Sequence, residues 1–223
     1  MGHTKERKMK TTVLFTRHED HKDQVLLPDA VERARMRGLR LREKDYKIDR
    51  VKGSPLPRAD ATATEMMTGY GQTTDIEREA RLGDFKSDPR TPKEAVKELK
   101  ANAVAKHGDD SDSNLAKELI NTPALHDLLF ARAKEGAEAL LEMAAANPGK
   151  TILAVSHGVA RMEIVLRYLR GVRDTALLDI VPELIDRGEV IKLTFEVSEE
   201  WDDLAETHPA RAEFVSAEPL PLL

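Results

Sequence analysis

The chain of 223 residues contains no cysteine. That excludes disulfides, thiolate metal sites and a cysteine nucleophile, and it fits a reducing compartment, so a cytoplasmic location is the expectation. Aromatic residues are scarce, at 4%, which disfavours a pocket built for a large flat ligand. No apolar run approaches the roughly 20 residues of a membrane helix. Nor is there a basic excess. A net charge of −5 argues against broad nucleic-acid binding, although it leaves room for a local basic pocket. What is present is 40% hydrophobic and 34% charged residues, the composition of a soluble domain able to bury a core without disulfide or metal. The first ten residues, MGHTKERKMK, are basic, lack an apolar stretch and read as a mobile leader.

Two apolar runs stand out, TTVLFT (11–16) and TILAVS (151–156). Both read as buried strands, and each runs into a histidine: Arg17-His18 after the first, His157-Gly158 after the second. Helices are expected over 28–44 and 159–170, and in the segment RADATATEMMTGYG after Pro57. A weaker strand is expected over 48–54 and another over 189–197. Residues 93–106 and 115–146 are helical in composition, with a break at Asn121-Thr122-Pro123. From Glu200 onward, prolines in a polar background predict a loosely packed tail. The order predicts an α/β three-layer sandwich over 11–199: a mostly parallel central sheet flanked by helices, with a helical insert at about 85–147. Such sheets bind ligands at the carboxyl ends of their strands, where Arg17, His18 and His157 fall.

The stretch FTRHEDHKD (15–23) offers two readings. His18, Glu19, Asp20, His21 and Asp23 are metal-ligand types, but a metal needs several of them converging at about 2 Å. Residues that follow a strand point in several directions, so the expectation is no metal and a solvated loop from Asp20 to Asp23. The other reading is phosphoryl transfer. A neutral imidazole attacks phosphorus, arginines neutralise the equatorial oxygens, and an acid protonates the leaving oxygen. Arg17-His18, Arg58 at a helix start in SPLPRADATA, and His157 supply these parts in three separate segments.

LFTRHE, GSPLPRADATA and AVSHGVARMEIV resemble, in order, the three signature segments of the histidine phosphatase superfamily, with its phosphoglycerate-mutase-like fold. The resemblance implies that His18 is the nucleophile and that Arg17 and Arg58 bind phosphate. His157 is then the second pocket histidine, donating to phosphoryl oxygens. It implies a proton donor at Asp84, in EARLGDF, with Glu79 and Glu19 as rivals. Gln24, six residues after the nucleophile, matches a polar phosphate contact. Glu19 departs from the family, which has glycine there; beside the pocket it would repel an anionic substrate unless it turns away or pairs with a cation such as Lys22 or Arg161. The implied activity is a metal-independent phosphomonoesterase, without cofactor, acting on a small phosphorylated molecule or a phosphoprotein. Mutase-like transfer and a non-catalytic phospho-ligand binder are the alternatives.

Overall fold

The computed structural model describes residues 5–158, 161–181, 184–201 and 210–223. Its strands are β1 (Lys5–Arg17), the two-residue β2 (His21–Lys22) and β3 (Val25–Leu26), β4 (Arg50–Gly53), β5 (Ile76–Arg78), β6 (Thr151–Ser156), β7 (Val190–Trp201) and β8 (Arg211–Leu220). The helices are α1 (Pro28–Glu43), α2 (Pro57–Tyr70), α3 (Lys93–His107), α4 (Asp112–Glu118), α5 (His126–Ala145) and α6 (Met162–Leu169). One six-stranded sheet has the order β5-β4-β6-β1-β7-β8, and β2 pairs with β3 as a small hairpin. Strands β5, β4, β6 and β1 are parallel to their neighbours; β7 and β8 are added antiparallel.

Alternation along the central strands builds the three layers. Val13, Phe15, Ile152 and Ala154 join Leu140, Met143 and Val165 of α5 and α6 on one face. Leu14, Leu153 and Val155 join Ala34, Leu41, Ala63 and Met66 of α1 and α2 on the other. Burial on both faces is why these strands read as unbroken apolar runs rather than alternating ones. Helices α1 and α2 both start on proline, where the missing N–H has no helical partner to lose.

The insert has its own cluster, in which Phe85, Leu99, Leu115 and Leu119 meet Leu125, Leu129 and Ala133. Helix α5 belongs to both bodies. Its first turns pack in the insert, and Ala137, Leu140 and Met143 pack on the sheet. Helix α5 therefore runs from the cluster of the insert onto the sheet.

Both chain ends differ from the sequence expectation. Residues 1–4 lie outside the described part, but Lys5–Lys10 extend β1 and pair with Glu196–Trp201 of β7. Ladder bonds are made by the backbone and do not need apolar side chains; an ion pair of 2.8 Å between Lys8 and Glu196 supports this ribbon. The expected tail is likewise a strand. Residues 202–209 lie outside the described part, and Arg211–Leu220 form β8 along β7, with a register shift at Thr194/Phe195 that leaves Val215 without a paired residue. Phe214 stacks edge-on to Phe195 at 5.9 Å. Small apolar residues and Pro219 on an edge strand hide this period-two pattern in the sequence.

Helices α1 and α2 cross closely through two glycines. A Cβ on Gly38 would collide with the Met66 carbonyl, and one on Gly69 with the Arg35 carbonyl. Gly38→Ala is therefore expected to destabilise the fold by about 1–3 kcal/mol through overpacking. Urea unfolding measures it, and a wild-type midpoint would contradict the close crossing.

Candidate active site

Three adjacent strand ends converge. In the sheet β6 lies between β1 and β4, with Arg17 opposite Ser156 and Gly53 opposite Val155. The residues just beyond are His18 after β1, His157 after β6, and Ser54 after β4. From Ser54 a turn through Pro55 leads to Arg58 in the first turn of α2. All four side chains are buried.

Arg58 joins them. Its Nε donates to His18 Nε2 at 3.1 Å, Nη1 to Gln24 Oε1 at 2.8 Å, and Nη2 to Asp84 Oδ2 at 3.0 Å and His157 Nδ1 at 3.1 Å. A guanidinium only donates, so these bonds fix the tautomers of both rings. His18 Nε2 is unprotonated, and Nδ1–H donates to the Glu19 carbonyl at 2.8 Å. His157 Nδ1 is likewise an acceptor here, and its Nε2–H donates to Ser54 Oγ at 2.7 Å. Ser54 was missed in the sequence reading although it stands inside the segment that contains Arg58.

Arg17 packs against Gly158, where a Cβ would overlap the guanidinium. Its Nη1 donates to the Ile185 carbonyl at 2.7 Å, and Nη2 contacts Asp112 at the start of α4. Arg187 lies 3.6 Å from the same carboxylate. Neither Asp112 nor Arg187 carries a local signal in sequence, because the fold brings them to the site from distant segments.

Both rival acids are paired with arginines. Glu79 caps the turn at 80–82 and is bound by the Arg81 side chain at 2.9 Å. Glu19 is fully buried, and its carboxylate points into α1, contacting Arg37 and lying 3.3 Å from Arg33. It turns away from the pocket, and neither Lys22 nor Arg161 is its partner. Asp84 stays at the site, with Oδ1 accepting from the Lys86 amide at 3.1 Å.

His21 differs from the expected loop role. Its ring lies 5.0 Å from that of His18, on the hairpin β2–β3. The hairpin turn places Asp23 and Gln24 at φ of 49° and 71°. Non-glycine residues in this region carry strain, and the turn holds Gln24 on Arg58. Asp20 faces Arg33 and Arg187. The opening cluster therefore diverges, and among the described residues no three His, Asp or Glu groups form a metal-binding set.

Burial first, then the charges of Arg58 and Arg17, pushes the His18 pKa down from 6.5 to about 2. Burial and the same surroundings hold His157 well below its ordinary value. Both rings are neutral at ordinary pH. Because the native pKa of His18 lies below the unfolded one, the unfolded chain binds more protons at this residue between about pH 2 and 6.5. Stability must fall as pH drops through that window, by up to about 1.4 kcal/mol per pH unit for one histidine. His18→Asn is therefore expected to flatten the acid side of the stability profile by about one proton. Parallel wild-type and variant profiles in urea unfolding at a series of pH values would contradict it.

Residues 10–204 match the family model described as histidine phosphatase superfamily (branch 1). A search of curated protein sequences returns no match. Among solved structures, phosphoserine phosphatase from Entamoeba histolytica in complex with 3-phosphoglyceric acid aligns with a TM-score of 0.56 at 16% identity, covering 95% of this chain and 98% of that one. Phosphoglycerate mutase from Bacillus anthracis str. Sterne aligns at 0.54 and 18% identity, over 84% and 88% of the two chains. The alpha-ribazole phosphatase from Shigella flexneri aligns at 0.52 and 17%, over 82% and 89%. At such identities the structures show a shared fold, and the family match covers most of the chain. This protein belongs to the histidine phosphatase superfamily, branch 1.

Proposed function

We propose that the protein is a metal-independent phosphomonoester hydrolase that works through a phosphohistidine on His18. The substrate is a small phosphorylated molecule or a phosphoprotein. One observation carries the reading: His18 is buried and neutral, and it presents an unprotonated Nε2 to Arg58 while Nδ1–H is held by the Glu19 carbonyl. An unprotonated Nε2, released when Arg58 turns its donors to the phosphoryl oxygens, is what attack on an anionic phosphorus centre requires.

In the first step a bond forms between His18 Nε2 and phosphorus as the bond to the ester oxygen breaks. Asp84, released as Arg58 turns to the phosphate, passes a proton carried in by the substrate to that oxygen. In the second step water attacks phosphorus, its proton passes to Asp84, and inorganic phosphate leaves with His18 regenerated. Arg58 redirects its donors from the side chains they now hold to the equatorial oxygens, where charge sits in the transition state. Arg17 adds a second guanidinium once Asp112 yields it. The Ser54 hydroxyl both donates and accepts, so His157 is free to move its proton to Nδ1 and donate to a phosphoryl oxygen.

One feature favours a catalytic site. The Glu19 carboxylate, which beside the pocket would repel an anion, is turned into α1 and paired, which weakens the case for a binding-only protein.

An aryl phosphate should be hydrolysed in the presence of chelator, with an acid-labile phosphoryl group trapped on the enzyme after rapid quenching. His18→Ala should abolish both. Activity that the chelator removes would contradict the reading. Asp112→Asn should lower the inorganic phosphate concentration for half-inhibition by roughly 3- to 10-fold, the scale of one partly exposed ion pair. Unchanged or weaker inhibition would show that Asp112 does not compete for Arg17.

A further inference from the structure

Arg132 of α5 is a buried arginine outside the phosphate pocket, 6% exposed. Its Nη2 donates to the Gly83 carbonyl at 2.8 Å, one residue before Asp84. Its Nε lies 3.4 Å from the Asp88 carboxylate, and its Nη1 donates to Glu135 on the next turn at 3.2 Å. Arg132 thus hydrogen-bonds one end of the segment 83–88, at Gly83, and lies in ion-pair range of the other, at Asp88, a two-point contact that lysine cannot reproduce. The carbonyl of Arg132 in turn accepts from the fully buried Arg161, which follows His157 in the chain. Two further bonds hold the same segment: Ser156 Oγ donates to the Leu82 carbonyl at 2.8 Å, and Thr91 to the Phe85 carbonyl. Asp84 and Arg132 also share the lining of a cavity of about 250 Å³ with Pro55, Leu56 and Ala80.

We infer that Arg132 is a positioning residue for the proton donor: by holding Gly83 and Asp88 it sets where the Asp84 carboxyl stands relative to the leaving oxygen. The inference rests on the reading of Asp84 as that donor. It has no direct part in binding phosphate, because its fork is turned to the backbone of the loop and to carboxylates of the insert. Asp88 keeps Arg90 at 2.7 Å if Arg132 is replaced, so the loop does not acquire an unpaired buried carboxylate.

The test is the dependence on leaving group. Dinitrophenyl phosphate releases an oxygen that needs no proton, and phenyl phosphate releases one that does. Arg132→Met should lower kcat/KM, which reports the phosphorylation step and not the shared hydrolysis of the phosphohistidine, by about 10-fold or more on phenyl phosphate while changing it by less than about 3-fold on dinitrophenyl phosphate. Arg132→Lys, which retains a cation for Asp88 and with it the fold, should show the same asymmetry. Equal slowing of both substrates, or no slowing, would overturn the inference. Asp84→Asn separates the two levels. If it lowers kcat/KM for both substrates alike, the donor reading fails; if kcat/KM is asymmetric for it and not for the Arg132 variants, only the positioning role fails.

Discussion

The site depends on the guanidinium of Arg58. A buried arginine must place its donors on something, and here they fall on His18, Gln24, Asp84 and His157. Those are the groups that a phosphoryl transfer needs in one place. The same bonds select the tautomer of each ring and, with burial, keep both imidazoles neutral. The fold supplies the convergence, since β1, β6 and β4 are neighbours and end together, and α2 begins just beyond β4.

A second layer of charge ties the site to the insert. Arg37, Glu19, Arg33, Asp20, Arg187, Asp112 and Arg17 alternate in sign along one path from α1 to the end of β1. Its exposed members add little to stability one by one. Its effect is local: Glu19 is paired away from the pocket, and Asp112 occupies Arg17, which the proposed mechanism requires it to yield to phosphate. The carboxylate that replaces the family's glycine is thus part of the scaffold of α1.

Much of this was legible in the sequence. TTVLFT and TILAVS are apolar on both faces, so their strands and the histidines after them could be read directly, and the segment around Arg58 added the third corner. The edges were less legible. Residues 5–10 and 211–220 pair through backbone with few large apolar side chains, so they read as a leader and a tail. Ser54 was in plain view but needed the ring of His157 beside it to acquire a role. Asp112, Arg187 and Arg132 act across long sequence separations, and no spacing rule reaches that far. His21 read as loop polarity because a two-residue hairpin with non-glycine residues at positive φ has no strong turn signature.

The central claim is that His18 Nε2, Arg58, His157, Arg17 and Gln24 surround one phosphoryl group. A crystal structure of the protein soaked with orthovanadate tests it most directly. The account predicts vanadium bonded to His18 Nε2, with its equatorial oxygens held by Arg58, His157 and Gln24, and Arg17 released from Asp112 to join them. Vanadate bonded to His21, or bound without contact to Arg58, would contradict it.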